Sequence, residues 1–158
     1  MKIFDVFGIQ VCSNGNGSMR CKDEYELYKL LEKIYFPNLY GDKWENTSNK
    51  PLYNGYKIDY TAHKYKDFLE PNDDYIDYIP HFYEVKNNEF TRKDLLQVIK
   101  YYDELSEQKG LNNFQLRTIA SCYNQRRCGI LLSLGILPIT IKNIVNTHTY
   151  QTEGEINE

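Results

Sequence analysis

Alanine occurs only twice in this chain of 158 residues, at Ala62 and Ala120, and tryptophan once, at Trp44. So little alanine beside many Asn, Ile and Lys and 15 Tyr is the bias that AT-rich coding leaves. It points to a type of genome, viral genomes among them, and carries no chemistry. No stretch approaches the roughly 20 consecutive apolar residues that a membrane helix needs, so no membrane partner is expected. The opening MKIFDVFGIQV is too short for a signal peptide and carries Asp5. An intracellular protein is therefore expected, cytoplasmic, or in the host cell if the source is viral. A basic excess is also missing, since 19 Lys and Arg face 22 Asp and Glu for a net charge of −3. That counts against a plain polycationic nucleic-acid binder, but a carboxylate site that takes up cations tolerates it. No C-x-x-C occurs among Cys12, Cys21, Cys122 and Cys128, so reduced, independent thiols are expected.

The remaining composition, 41% hydrophobic and 26% charged, is that of one globular domain with a true core. That domain is placed at 1–145, followed by a flexible acidic tail at 146–158. Residues 2–12 alternate loosely as a first strand, and 13–20 carry turn chemistry. Asp23 opens a helix with Glu26 three residues on, and Leu27, Leu30, Leu31 and Ile34 form its apolar stripe until Pro37 and Gly41 end it. Residues 42–54 read as loop. Tyr56, Ile58 and Tyr60 alternate as a strand, and 75–86 form a second strand after a polar turn. Thr91 caps the next helix. Asp94 at N3 is short for an ideal capping box but suits the positive end of the dipole. Leu95, Leu96, Ile99, Tyr102 and Leu105 form that helix's stripe, and Gly110 ends it. A strand at 114–121, a short helix at 124–135 and a last strand at 138–145 complete an α/β (α+β) order. A mixed central sheet flanked by helices follows from it.

Chemistry concentrates at the end of the second strand. Glu84 and Lys86 are two apart, so they share one face, while Val85 points to the other. Asp59 on the neighbouring strand reaches that face if the register allows. Two carboxylates with a main-chain carbonyl suit a hard cation such as Mg²⁺. A lysine beside it can orient the attacking water or stabilise charge in the transition state. A second E-x-K, Glu107 and Lys109, sits at the polar end of a helix and lacks this context. Gln97 and Tyr101 are four apart and share a helix face. Lys93, Lys100, Arg126 and Arg127 are available to phosphates, as is Arg92. Trp44 and the tyrosines read mainly as core. His63, His81 and His148 are scattered, and His81 is odd-spaced from Glu84.

K-I-D-Y at 57–60, F-Y-E-V-K at 82–86 and Q-V-I-K-Y at 97–101 resemble the PD-(D/E)XK nuclease superfamily. The Q-x-x-x-Y element resembles its RecB-like branch. The likeness follows element order over residues 22–145 and rests on five residues: Asp59, Glu84, Lys86, Gln97 and Tyr101. In size and composition the chain is also similar to small nucleases of archaeal filamentous viruses. The resemblance implies a restriction-endonuclease-like core and metal-dependent hydrolysis of DNA phosphodiesters to 5′-phosphate products. It implies Mg²⁺ or Mn²⁺ on Asp59, Glu84 and the Val85 carbonyl, with Lys86 serving the water. Gln97 and Tyr101 would lie near the DNA backbone. It further implies an acid from the first helix, for which Glu24 is favoured over Glu26, since Glu26 has a competing role in the cap. A homo-oligomer is compatible with it. Some relatives carry four clustered cysteines ending in C-x5-C, the spacing of Cys122 and Cys128, but the accompanying C-x-x-C is missing here. Ile58 replaces the proline of the motif's name. The gap from Asp59 to Glu84 is long, which leaves Asp74 and Asp77 as alternatives to Asp59. Two other functions fit the same residues less fully: a non-catalytic nucleic-acid-binding protein, and a viral protein-interaction module.

Overall fold

The computed structural model describes residues 19–49, 57–65 and 76–149. Asp23 accepts the Glu26 N–H at 2.8 Å and caps helix α1, Glu24–Leu30. The chain stays helical through a π turn at Leu31–Tyr35 and a short helix α2, Phe36–Tyr40. The π turn occupies the residues just before Pro37, whose ring has no N–H to give. Pro37 therefore does not end the helix. Gly41 does, at φ 62°, a value that favours glycine.

Five strands form the main sheet: β1 Trp44–Asn46, β2 Tyr60–Tyr65, β3 Ile76–Val85, β5 Gln115–Ala120 and β7 Leu137–Thr140. Their order is β1-β2-β3-β5-β7. The first three pair antiparallel, while β3, β5 and β7 run parallel. A parallel neighbour needs a long crossover. Helix α3, Arg92–Lys109, supplies the first, and helix α4, Gln125–Ser133, the second. Two short strands, β4 Glu89–Phe90 and β6 Cys122–Tyr123, pair beside them. Each face of the sheet has its own core. Leu95, Val98, Tyr101 and Leu105 of α3 and Leu131 of α4 pack with Phe82 and Leu116 on one side. Leu27, Leu31 and Phe36 pack with Tyr60, Tyr83 and Val85 on the other. The mixed sheet between two helical layers is the architecture expected from the sequence.

Several elements differ from expectation. Residues 44–46 form strand β1 within the stretch read as loop, because β2 offers an edge with which three residues can pair. The last strand stops at Thr140, whose hydroxyl accepts the Asn143 N–H at 3.3 Å and starts helix α5, Ile141–Ile144. A π turn, Val145–Thr149, carries on into the stretch read as tail. On α3 the buried stripe runs through Val98 and Tyr101, while Leu96 is 51% exposed. Cys21 and Cys128 are free, but Cys122 is joined in a disulfide, against the expectation of four independent thiols. The strand expected at 2–12 lies outside the described residues. Among the described residues, no helix is long and apolar enough to cross a membrane.

Candidate active site

Asp59 stands at a bend immediately before β2, on a backbone whose carbonyls are held one after another. Tyr101 Oη donates to the Lys57 carbonyl at 2.6 Å, and Thr47 Oγ1 donates to that of Ile58 at 2.9 Å. The Thr47 N–H donates to the Asp59 carbonyl at 2.8 Å. The Asp59 side chain is fixed as well, since its Oδ2 accepts the Val85 N–H at 2.8 Å. Tyr60 lies opposite Tyr83 in the antiparallel register, so Asp59 lies opposite Glu84. The register that the sequence left open therefore brings Asp59 and Glu84 together. Asp74 lies outside the described residues, as does the side chain of Asp77.

Glu84 is only 5% exposed, and its Oε2 is buried with no hydrogen-bond partner among the described residues. A buried carboxylate oxygen without a donor costs several kcal/mol on the general scale of such groups, about 1–3 for the missing bond alone. Burial is the main reason its carboxyl is held well above the usual carboxylate range, followed by the charge of Asp59 and a hydrogen bond to it. Lys86 pulls the other way, and Asp94 adds to the rise. Two carboxylates are thus crowded in a place that calls for positive charge.

Lys86 follows β3, with its N–H on the Ile119 carbonyl at 2.8 Å. Its ammonium lies 3.5 Å from Asp94 Oδ1. Asp94 closes a full capping box with Thr91, contrary to the expectation that it was too short. Gln97 Nε2 donates to Tyr101 Oη at 2.8 Å, so the pair on one helix face exists as read. Tyr101 is 1% exposed, however, and its hydroxyl is committed to Lys57. This places the pair beneath the Asp59 segment. Burial, then the charge of Glu84, raises the Tyr101 phenol.

The first helix brings more carboxylates near. Tyr28, half-buried, has its phenol pushed up to about 12 by burial and by the charges of Asp59, Glu24, Glu84 and Glu32. Glu24 is exposed. Glu32 was missed in the sequence, although Glu24, Tyr28 and Glu32 are spaced four apart and so ladder along one face. It accepts the Tyr60 hydroxyl at 3.2 Å. Among the described residues no group of three or more His, Cys, Asp or Glu side chains converges as metal ligands would. Asp59 and Glu84 are brought together, and Glu24 and Glu26 are not brought to them. Glu26 lies exposed in the first turn, its N–H on Asp23.

The basic candidates lie on α3 and α4. Lys93, Lys100 and Arg126 are exposed. Arg126 and Arg127 lie in the first turn of α4, where Asn124 caps both N–H groups. Arg127 also pairs with Glu89 at 3.7 Å and donates to the Phe90 carbonyl at 3.3 Å. His81 lies apart from the site, its Nδ1 2.8 Å from Tyr40 Oη.

The sheet order and the two helical layers define a class, α+β proteins with a restriction-endonuclease-like core. Two solved structures share the architecture. A repair endonuclease from Pyrococcus abyssi superposes with a TM-score of 0.54 at 16% identity, over 79% of this chain and 49% of that one. EndoMS, solved with double-stranded DNA, superposes with a TM-score of 0.53 at 14% identity, over 82% of this chain and 48% of that one. At these identities the likeness is one of fold, and the chain spans about half the length of either protein. No family model and no curated protein sequence matches the chain.

Proposed function

We propose that the chain is a metal-dependent nuclease that hydrolyses DNA phosphodiester bonds. The observation that carries this reading is the close pair of half-buried Asp59 and buried Glu84, with an orphaned Glu84 oxygen and Lys86 at the same strand end. The donors fit a hard divalent cation, Mg²⁺ or Mn²⁺: two carboxylates and the Val85 carbonyl, with water completing the shell. Glu24 or Glu32 would reach it through water. When bound, such an ion supplies charge stabilisation and a more acidic water. Asp59 and Glu84 would hold the ion through their carboxylate oxygens. Lys86 directs its ammonium at the attacking water or at the developing phosphoryl charge. Gln97 and Tyr101 keep the Asp59 segment in register with β3. This differs from the DNA-backbone contact that the resemblance implies, and it follows from the burial of Tyr101. Lys93, Lys100, Arg126 and Arg127 meet phosphates. One protein of like fold is a repair endonuclease, and the other was solved with double-stranded DNA. An intracellular setting fits this substrate.

The test is cleavage of linear and circular, single- and double-stranded DNA in Mg²⁺, Mn²⁺ or EDTA, with Glu84→Ala and Lys86→Ala beside the wild type. Metal-dependent cutting that both substitutions abolish is expected. A protein that binds DNA and cuts nothing would replace this reading with a non-catalytic DNA-binding one. The lack of a third converging acid among the described residues favours that alternative.

A further inference from the structure

The carboxylate of Asp94 has two tasks at once. Its Oδ2 accepts both the N–H and the O–H of Thr91, each at 2.9 Å, and so closes the start of helix α3. Its Oδ1 faces the Lys86 ammonium at 3.5 Å. Among the described residues this is the ion pair Lys86 makes. Yet Glu84 lies only two residues before it, near the end of β3, and the charge of Lys86 is felt at its carboxyl. Lysine is a point charge on a long, mobile stem. With two crowded carboxylates beside it, an untethered ammonium would fall between them and occupy the place of a cation. Asp94 is 9% exposed, and the capping box orients it, so it is a rigid anchor.

We propose that Asp94 is a positioning residue that holds the Lys86 ammonium on the helix side of the site and keeps the space between Asp59 and Glu84 open to a divalent cation. The inference rests on the nuclease reading above and adds a residue outside the motif that carries it. Asparagine at this position still offers an oxygen to Thr91 but cannot hold an ammonium by charge. Asp94→Asn should therefore keep the fold, with a melting midpoint within about 4 °C of wild type. Its Mn²⁺ affinity, measured by calorimetry without DNA, should fall about 10-fold, and kcat should fall about 10- to 100-fold with KM unchanged. In a Lys86→Met background the same substitution should leave Mn²⁺ affinity unaltered, because no ammonium remains to misplace. A crystal structure of Asp94→Asn should show Lys86 Nζ turned toward Glu84. If the wild type binds Mn²⁺ and cuts DNA while Asp94→Asn matches it in both, Asp94 is only a helix cap and the nuclease reading stands. A loss of Mn²⁺ affinity that persists with Lys86→Met also overturns the role. If the wild type neither binds Mn²⁺ nor cuts, the nuclease reading fails and takes this inference with it.

Discussion

Glu84→Gln should make the metal-free protein more stable and abolish cleavage in the same step. In the folded chain the Glu84 carboxyl is held well above its ordinary range by burial and by Asp59. In the unfolded chain it ionises near about 4.3. Between those limits the folded state keeps a proton that the unfolded state has lost, so stability falls as pH rises. The contribution is complete below the unfolded value and is lost progressively toward the folded one. A full one-proton difference corresponds to about 1.4 kcal/mol per pH unit. From about pH 5.5 to 7.5 it would remove close to 2.7 kcal/mol. The coupling to Asp59 and the opposing charge of Lys86 reduce this to about 1–2 kcal/mol, or a melting midpoint lower by about 2–8 °C for a chain of this size. The glutamine amide is neutral throughout and can donate to Asp59 as the protonated acid does. Its stability should be flat over the same window and above that of wild type at the upper end. Thermal or urea unfolding in EDTA across this range, with both proteins, measures the effect. Added Mg²⁺ should raise the wild-type midpoint in proportion to its binding and leave the variant unmoved. A wild type whose stability does not change with pH, or a variant less stable than wild type at about pH 7.5, would refute the assigned crowding.

Two further outcomes follow from the same geometry. Tyr101→Phe removes the donor to the Lys57 carbonyl and leaves Gln97 Nε2 without its acceptor, so stability should fall by about 1 kcal/mol, read as a midpoint lower by about 2–4 °C. Cleavage should fall with it, since Asp59 loses one of three backbone supports, and Gln97→Leu paired with Tyr101→Phe should cost little more than Tyr101→Phe alone. Arg126→Gln, at an exposed position, should lower the slope of log affinity against log salt by about 0.9 in a DNA titration without altering the melting midpoint. Arg127→Gln should change both, because its guanidinium also holds Glu89 and the Phe90 carbonyl.

The sequence was most legible where one period dominates. The stripe of Leu27 and Leu31, the cap at Asp23 and the alternation around Glu84 each follow from one local rule, and each element formed. It was least legible where partners distant in sequence decide the outcome. Trp44–Asn46 has no strand pattern of its own and is a strand because β2 offers an edge. Thr140 ends β7 because its side chain caps a helix, a choice that an apolar run such as Ile139, Ile141 and Ile144 conceals. The meeting of Asp59 and Glu84 depends on the register between β2 and β3, which neither strand states alone. Glu32 escaped notice because its approach to the site depends on how the π turn after α1 lies against Tyr60.

The motif residues of α3 also show why spacing alone could not assign their roles. Gln97 and Tyr101 share a face in any helix, and an exposed pair at that spacing would suit a DNA contact. The burial of Tyr101 supports a positioning role instead. Tyr101 is enclosed, and its hydroxyl joins α3 to the carbonyl two residues before Asp59, while Asp94 at the start of the same helix joins it to Lys86. One helix thus grips both sides of the candidate site, the approach to β2 and the exit from β3. The repulsion between Asp59 and Glu84 would otherwise relax by parting these strands, because a bend and a strand end are the softest points of the ladder. Held at both points, the two carboxyl groups stay crowded. On the proposed function, the stability given up at Glu84 is what would make the site selective for positive charge, and α3 is the element that would keep the crowding from being relieved by movement.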